Sequence, residues 1–341
     1  MQHRKFSIKH IATQAAVSPA TVDRVINNRP GVGTYTKQRV QNAIIELEEY
    51  AAKVNFSCKQ LYVDVVMNTE HCYSSLVQEA FIRTLHSMKN FNINPRFHFF
   101  QNESPSSLAN QISRIIDNGT QGIIINANNE YPLKESIEYA LSKDIPTVTF
   151  GTDIPYSKRV QYIGANNFSD GQTAAYFIGQ WLKSKHTKVL ISTSMPNFLN
   201  KAEREIGFRQ YLQQKFPDLH IDILLHKDNS YKETFNSVNK YLKNDGNACA
   251  LYSIGGCNKG ILSAYKKHAK PIKLFITHDL SHSNKLLMED NKIDVVLDRN
   301  IDVDAHNAFL SILRFHKLIK HETAYIPSST GVITPCNLSP S

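Results

Sequence analysis

After residue 60 the chain alternates between short apolar runs and amphipathic helical segments, and this alternation constrains the fold most. Nine runs have strand length and nearly continuous apolar side chains, as strands have when helices cover both faces of a sheet. Helical crossovers between such strands predict parallel sheets and an α/β fold. More than 270 residues of this pattern exceed one open sheet, so we expect two lobes. The predicted strands are LYVDVVM, PRFHFFQ, GIIIN, IPTVTFG, TKVLIST, HIDILLH, ACALYSIG, IKLFITH and IDVVLD.

The compartment is predicted from the cysteines and from the apolar runs. The cysteines are odd in number, scattered and without a CxxC pair, so we expect reduced thiols rather than disulfides or zinc. No apolar run approaches the ~20 residues of a membrane span. The basic start MQHRKF is followed by polar His10, Thr13 and Gln14, which interrupt any signal-peptide core. We therefore expect a cytoplasmic protein. The cysteines are Cys58, Cys72, Cys249, Cys257 and Cys336.

The net charge of +9 is concentrated at the start of the chain. Residues 1–45 contain seven basic residues and one acid, whereas the remaining 296 residues carry a net charge of only +3. A basic head on a nearly neutral body is typical of a nucleic-acid-binding module. A solvated lysine-rich face would give the same charge, so charge alone leaves both interpretations open.

The first fifty residues predict three short helices. Ser7 can cap the first, whose apolar residues recur at i, i+3, i+4 and i+7. Ser18 and Pro19 mark the start of the second, as a capping hydroxyl followed by proline at the first helical position. Ala20, Arg24 and Asn27 share its outer face. Since a helix fits the major groove and arginine can donate two bonds to guanine, the pattern predicts a helix-turn-helix. The apolar residues predicted to point inward are Ile8, Ile11, Ala12, Ala15, Val22, Val25, Ile26, Val40, Ala43, Ile44 and Leu47.

Residues 6–50 resemble the headpiece of the lactose/galactose-repressor (LacI/GalR) family of bacterial transcription regulators. VSPATVDRV is similar to the family's Val-Ser-x-x-Thr-Val-Ser-Arg-Val core. The resemblance implies a transcriptional repressor that binds a double-stranded operator. It places Pro19, Ala20 and Arg24 at base-reading positions. The predicted backbone contacts are Ser7, Ser18, Thr21, Asn27 and Thr36.

The headpiece departs from the family pattern at two positions. The usual turn glycine is Ala16, which costs backbone free energy if its φ angle is positive. Asp23 stands before Arg24, where the family usually has a serine. The negative charge of its carboxylate is repelled by DNA phosphates. Asp23 therefore either buttresses Arg24 or accepts a hydrogen bond from cytosine N4.

The hinge that follows departs further. Residues 51–60 lack the proline and the Ala-Arg-x-Leu sequence with which the family opens the minor groove. Lys53 and Lys59 can still contact phosphates. We predict a headpiece at 1–50, a linker at 51–60 and a body at 61–341. The first lobe takes about 61–162 plus 297–323, and the second about 163–296 plus 324–341.

A ligand cleft is predicted at the carboxyl ends of the body's strands, where open parallel sheets bind ligands. Amides, carboxylates and an arginine there suit a polyhydroxylated effector. The body also resembles the family's periplasmic-binding-protein-like effector domain, in VQYIGANNFSDGQTAA, REIGF and FITHDL. The resemblance implies effector contacts by Arg204 and Asp279 and a sugar or polyol as ligand. Gly255 and Gly256 replace the usual Asn-Asp. The predicted effector residues are Asn68, Asn126, Asp153, Arg204, Asn258, Asp279 and Arg299.

Other chemistry has weaker support in the sequence. His278 and His282 flank Asp279 at helical spacing, but the segment straddles a predicted strand end without a third ligand, so we predict no metal. Neither a phosphate-loop nor a nucleophile-elbow motif occurs, so we expect no enzyme and no cofactor. A solute-binding module without DNA function stays open as the alternative. Since a pseudo-palindromic operator needs two heads, we expect a homodimer built on the body.

Overall fold

The computed structural model describes residues 6–57, 60–69, 71–182, 187–194, 198–244, 246–255, 257–319 and 324–338. The chain forms two compact units. One comprises residues 1–61, 88–94 and 313–324, and the other comprises 62–87, 95–312 and 325–341.

The headpiece is built as predicted from three helices, α1 (Ile8–Gln14), α2 (Pro19–Ile26) and α3 (Thr34–Ser57). Ser7 caps α1 by accepting a hydrogen bond from the His10 backbone N–H. Ser18 caps α2 in the same way, accepting from the Thr21 N–H. All eleven residues predicted to point inward belong to one apolar cluster, in which Val22 and Val40 are fully buried.

Helix α3 extends further than the sequence predicted. It continues to Ser57, through most of the segment expected to be a linker. The stretch YAAKVNF contains neither glycine nor proline, so no residue in it stops the helix. The linker residues Cys58 and Lys59 and the side chain of Lys53 lie outside the described part of the chain.

The first sheet of the body has five strands in the order β2-β1-β3-β4-β5. Strand β1 pairs in parallel with β3, β3 with β4 and β4 with β5. An apolar core from β3 and two helices, α5 and α6, covers one face. The elements are β1 (Leu61–Asn68), α4 (His71–Ser87), β2 (Ile93–Phe100), α5 (Pro105–Asp117), β3 (Gly122–Asn126), α6 (Tyr131–Ser142), β4 (Thr147–Phe150) and β5 (Gln161–Ile163).

The second sheet has six strands in the order β11-β10-β9-β8-β6-β7. Its neighbours pair in parallel, except that β10 and β11 are antiparallel. Two apolar clusters cover its two faces. The elements are α7 (Asn167–Trp181), β6 (Lys188–Ser194), α8 (Leu199–Lys215), β7 (His220–His226), α9 (Tyr231–Lys243), β8 (Ala250–Ser253), α10 (Asn258–Lys267), β9 (Leu274–His278), α11 (His282–Glu289), β10 (Val295–Arg299), α12 (Ile301–Phe315) and β11 (Thr330–Ile333).

All nine predicted strands are present, which confirms the α/β fold with parallel sheets. Strands β5 and β11 were not predicted. They have three and four residues, and none of those residues in β11 is fully buried, so neither gives an apolar run. Such short edge strands depend on pairing with a neighbour and leave little signal in the sequence.

Helices α7 and α8 cross at unusually close range because each carries a glycine at the contact. A Cβ atom on Gly171 of α7 would lie 2.0 Å from the carbonyl oxygen of Arg204 on α8. A Cβ atom on Gly207 of α8 would lie 2.1 Å from the carbonyl oxygen of Phe168 on α7. The backbone of each helix therefore rests directly on the other.

Candidate functional site

The exposed surface of α2 carries the residues predicted to read bases. Pro19 and Ala20 are exposed in its first turn, and Arg24 is exposed near its end. The Arg24 Nη1 atom lies 3.6 Å from where a Cβ on Gly31 would be, so the guanidinium rests beside the following loop. A small first turn with an arginine behind it is suited to entering the major groove and reaching a guanine edge.

The residues predicted to contact the DNA backbone lie around the ends of the three helices. The hydroxyls of Ser18 and Thr21 bond each other at 2.8 Å. Ser7 is exposed at the start of α1, and Thr36 is half-buried in the first turn of α3. Because helix N-termini present unpaired N–H groups, Ser7 and Ser18 lie where a phosphate is favoured.

Asp23 does not buttress Arg24, and this corrects that interpretation of the sequence. One carboxylate oxygen accepts from Asn27 Nδ2 at 2.7 Å, and the other from Arg29 Nη1 at 3.1 Å. The chain turns back after α2, and this brings the Arg29 guanidinium to the Asp23 carboxylate. The negative charge that would repel phosphate is therefore balanced by a cation on the loop, and Asn27 is held by Asp23.

The turn between α1 and α2 is stabilised by a residue that sequence reasoning missed. Ala16 has a φ of 49°, the positive value at which the family uses glycine. Arg39 on α3 donates from Nη2 to the carbonyl oxygens of Ala15 and Ala16, at 2.7 and 3.3 Å. The contact spans 24 residues, so no local pattern signals it.

A cavity of about 330 Å³ lies at the carboxyl ends of strands from both sheets. Thr69 follows β1 and Asn126 ends β3 in the first sheet. Ser253, His278 and Arg299 end β8, β9 and β10 in the second. This is the edge at which parallel α/β sheets bind ligands, and the volume falls within the range of small-molecule sites.

Buried polar atoms that have no hydrogen-bond partner among the described residues gather around this cavity. Both donors and acceptors occur in the set. Leaving such an atom unsatisfied costs about 1–3 kcal/mol, so they indicate that a polar ligand or water completes the site. The atoms are Asn200 Oδ1, Arg204 Nε, Asn229 Oδ1, Asn258 Oδ1, His278 Nδ1, Asp279 Oδ1 and Arg299 Nη1. Arg299 Nε faces the Asp304 carboxylate instead.

Arg204 is held in the cavity wall by the crossing of α7 and α8. Its side chain is only 5% exposed, and its carbonyl oxygen rests against Gly171. Burial raises the pKa of the neighbouring Asp170 carboxyl, although the Arg204 charge opposes that rise. The guanidinium is therefore a fixed donor beside the cavity rather than a mobile surface charge.

Arg299 ends β10 of the second sheet and reaches Tyr73, which follows the first strand of the other sheet; it is also 5% exposed. It donates to the Tyr73 hydroxyl and lies 3.4 Å from Asp304, whose side chain is fully buried. A Cβ on Gly151 would lie 2.7 Å from that hydroxyl and 3.1 Å from both Arg299 Nη1 and Asn126 Nδ2. Three donor groups thus converge on one backbone position with positive φ, and only glycine leaves room for them.

His278 is buried at the floor of the cavity. Its Nε2 atom is 2.8 Å from the Tyr252 hydroxyl. Burial, together with the charges of Arg204 and Arg299, holds the pKa of His278 well below its ordinary value. The ring is therefore neutral at physiological pH.

We expect this burial to make the free energy of unfolding fall as the pH drops below about 6.5. The unfolded chain protonates His278 near its ordinary pKa, whereas the folded chain resists protonation. Stability present above pH 6.5 is thus lost progressively below it, by roughly 1 kcal/mol at pH 5.5. Urea unfolding at pH 8 and 5.5 measures this loss, and in His278→Gln the loss should be smaller by about that amount.

The variant is needed because buried carboxyls act in the opposite direction. Burial raises the pKa of Asp304, so its protonation favours the folded state as the pH falls. An identical pH dependence in wild type and His278→Gln would show that His278 does not contribute.

Five of the seven predicted effector residues line the cavity: Asn126, Arg204, Asn258, Asp279 and Arg299. Asn258 donates to Thr277 and Asn284, so only its oxygen is open to a ligand. Asp279 follows β9 with a φ of 58°.

The other two predicted residues lie outside the lining, and their partners explain why. Asn68 bonds the backbone N–H and carbonyl of Glu103, which ties β1 to the start of α5. Asp153 accepts two bonds from Arg159, at 2.5 and 2.6 Å, and one from Thr149. Asn68 ends β1 and Asp153 follows β4, as the pattern required, but their polar atoms are used within the first sheet.

Sequence reasoning missed several lining residues. Asn200 and Lys201 lie in the first turn of α8, Asn229 lies in the loop before α9, and Ser253 ends β8. The spacing of REIGF gave a signal for α8, because Asn200 lies one helical turn before Arg204. Gly256, in the departure from the family's Asn-Asp, lies outside the described residues.

The metal alternative gains no support from the geometry. His278 is buried against Tyr252, whereas His282 is exposed as the first residue of α11. Among the described residues, no group of three or more His, Cys, Asp or Glu side chains could hold a metal ion. Likewise, no helix in the described part of the chain has the length and apolar character of a membrane span.

Family comparisons agree with both parts of this structure. Residues 7–51 match the family of bacterial regulatory proteins of lacI type, and residues 66–305 match the periplasmic binding protein domain. The second match covers more than half of the chain. The chain belongs to the periplasmic binding protein domain family over its body, and its first residues form a domain of the lacI family of bacterial regulatory proteins.

Individual relatives have low sequence identity to this chain, but the similarity covers most of its length. The HTH-type transcriptional repressor PurR of Histophilus somni is 22% identical over 253 residues, 72% of each chain. A Bacteroides fragilis protein assigned to the LacI transcriptional regulators has a TM-score of 0.73 at 15% identity, covering 82% of this chain and 98% of its own. GanP, a glucose-galactose binding protein from Geobacillus stearothermophilus, has a TM-score of 0.70 at 17% identity, covering 82% and 99%. The structural neighbours share the fold of the body.

Proposed function

We propose that this protein is a DNA-binding transcriptional repressor whose affinity for its operator is controlled by a small polar effector. The observation that carries the proposal is the combination of two features in one chain. A basic helix-turn-helix presents Arg24 on an exposed helix, and a separate cavity presents unsatisfied buried donors and acceptors. A lacI-family regulator needs both, and neither requires catalysis, so we also propose that it is not an enzyme.

In this proposal α2 enters the major groove. Arg24 reads a base edge, while Pro19 and Ala20 bring the helix close to the bases. Ser7, Ser18, Thr21, Asn27 and Thr36 contact the backbone and fix the register, a role that carries no sequence information. The Asp23–Arg29 pair lets an acid sit on this surface, because the pair is neutral as a whole.

Arg24→Ala should weaken binding to the operator by roughly 1–3 kcal/mol, about 5- to 150-fold. Binding to random duplex should change far less, because only the cognate site offers the arginine a matching base. The operator is first selected from a random duplex pool, and both affinities are then measured by fluorescence anisotropy at fixed salt. Lys37→Ala removes the same charge from the headpiece and is the control, with similar losses expected on both duplexes.

Equal losses for Arg24→Ala on the two duplexes would mean that Arg24 only neutralises phosphate. Failure of the wild type to distinguish any duplex would contradict the regulator proposal. It would favour instead a solute-binding module without DNA function, the class of the GanP neighbour.

The effector we propose is a sugar or polyol held by Arg204, Asp279, Asn126, Asn258 and Arg299. The open atoms include guanidinium donors and carboxylate and amide acceptors. A hydroxyl both donates and accepts, so a ligand with several hydroxyls can satisfy this mixed set. The name of the GanP neighbour, a glucose-galactose binding protein, is consistent with that class.

We further propose a homodimer that reads a pseudo-palindromic operator in the bacterial cytoplasm, where operators lie. The headpiece is 1–50, the connecting segment 51–60 and the two-lobed body 61–341. Effector binding would change the arrangement of the lobes and, through the dimer, the spacing of the two heads. The helical 51–57 segment gives that coupling a stiffer connection than the family's proline-containing linker.

A further inference from the structure

The positive charge of the body is concentrated in one segment. Residues 232–273 contain eight lysines and two acids, whereas the rest of the chain after residue 45 has three more acids than basic residues. All eight lysines are exposed. We call them the lysine face: Lys232, Lys240, Lys243, Lys259, Lys266, Lys267, Lys270 and Lys273.

The lysine face follows two neighbouring helices. On α9, Lys232, Lys240 and Lys243 stand at positions i, i+8 and i+11, which places them along one side of the helix over about 16 Å. On α10, Lys259 and Lys266 are seven residues apart on one side, and Lys270 follows the end of the helix.

Helices α9 and α10 are held side by side, so the two lysine rows are adjacent. The Cys257 N–H before α10 donates to Thr234 on α9 at 3.1 Å. His268 Nε2 at the other end bonds Asn239 Oδ1 at 3.0 Å. Gly260 lies between, where an added Cβ would be only 3.0 Å from the Tyr231 carbonyl.

The fold accounts for only part of these charges. Lys240, Lys243, Lys266 and Lys267 lie in the last turns of their helices, where the helix dipole favours a cation, and Lys267 Nζ lies 5.5 Å from the centre of the Phe235 ring. None of the eight lysines has a carboxylate within 4.0 Å among the described residues. Glu233, the acid nearest in sequence to Lys232, accepts instead from the Lys227 N–H and the Ser237 hydroxyl. Lys232 and Lys259 stand in the first turns of their helices, where the helix dipole disfavours a cation. An external anion would relieve the repulsion among these exposed cations.

We propose that the lysine face is a second, sequence-independent contact surface for duplex DNA. The short polar side chains of Asn236 and Ser263 stand between the lysines, and both can donate to phosphate oxygens. The large apolar side chains nearby lie beside the rows: Tyr231 is exposed at the start of α9, and Phe235 and Leu262 pack against the core. Rows of lysine are a poor centre for a protein interface, where charged side chains are depleted. The inference rests on the proposed function in one respect, because the headpiece is what brings DNA to this protein.

The test compares two quadruple variants of the full chain. The first changes Lys232, Lys240, Lys259 and Lys270 to glutamine. The control changes four exposed lysines elsewhere, Lys143, Lys158, Lys215 and Lys292, and so removes the same net charge. Binding to random-sequence duplex is measured by anisotropy between 50 and 200 mM salt, after matching urea midpoints confirm that both variants fold.

Each lost phosphate contact reduces the magnitude of the slope of log K against log salt by about 0.9. The slope of the first variant should therefore be smaller by up to about 3.6, and that of the control should hardly change. DNA should also protect Lys232 and Lys259, but not Lys143, from acylation followed by mass spectrometry. The inference would be overturned if the two quadruple variants had the same salt slope. It would also be overturned if DNA protected Lys232 and Lys259 no more than Lys143 from acylation. This outcome is distinguishable from failure of the proposed function, because Arg24-dependent discrimination of the operator is measured separately.

Discussion

Replacing Gly207 by alanine should destabilise the second lobe by at least about 3 kcal/mol, the upper range for overpacked positions. The new Cβ would lie 2.1 Å from the Phe168 carbonyl oxygen. That oxygen belongs to the backbone of α7, so no rotamer change can relieve the contact and the helices must separate. Gly171→Ala should behave alike, since its Cβ would meet the Arg204 carbonyl oxygen at 2.0 Å. Urea unfolding followed by circular dichroism measures both.

Gly331→Ala, on strand β11 of the second sheet, is the control at an uncrowded glycine. Its Cβ would have ordinary contacts, the closest being the Asp298 carbonyl oxygen at 3.6 Å. We expect its stability to lie within about 0.5 kcal/mol of wild type. If Gly207→Ala is equally mild, the two helices do not cross as closely as described.

Arg204→Ala should weaken effector binding roughly 100-fold, or about 3 kcal/mol. The side chain is 5% exposed and its Nε has no partner among the described residues, so its loss leaves a ligand oxygen buried without a donor. Asp279→Asn should weaken binding by a similar factor because it removes an acceptor and a charge. Asparagine tolerates the positive φ of 58° at this position, so the backbone is retained.

The ligand for this experiment comes from a thermal-shift screen of monosaccharides, disaccharides and polyols, with nucleobases as a chemically different arm. Affinity is then measured by calorimetry. Cys257 provides a second readout, because it lines the cavity and a bound ligand should slow its alkylation. The control is Arg209→Ala on the same helix, whose exposed guanidinium pairs with Glu205 at 3.2 Å. Wild-type affinity in both Arg204→Ala and Asp279→Asn would exclude this cavity as the effector site.

The sequence predicted those parts of the fold that depend on local chemistry. Ser7 and Ser18 cap their helices because a hydroxyl just before a helix can accept a hydrogen bond from a free backbone N–H of the first turn. The nine apolar runs became strands because their length and composition fit a sheet covered on both faces. The end of α3 was predicted too early, since the resemblance suggested a linker where the residues themselves allow a helix.

The candidate site was predictable only in part, for a reason visible in Asn126 and Asp153. Both are polar, and they lie at the ends of neighbouring strands of the first sheet: Asn126 ends β3 and Asp153 follows β4. Asn126 donates to the Phe150 carbonyl and still lines the cavity. Asp153 forms an ion pair with Arg159, six residues later, and so is not available to a ligand. Which polar residue at a strand end stays available depends on its neighbours in space. The same limit applies to Asp23, whose partner lies on the following loop.

The bonds from Arg39 to the carbonyls of Ala15 and Ala16 have an evolutionary consequence. With alanine at a φ of 49°, the turn carries strain of roughly 1 kcal/mol, and Arg39 offsets part of it from another helix. A lineage with glycine at position 16 is free to lose the arginine, whereas this one is not. The two positions are therefore energetically coupled: loss of the arginine costs less where position 16 is glycine, and alanine at position 16 costs less where the arginine is present.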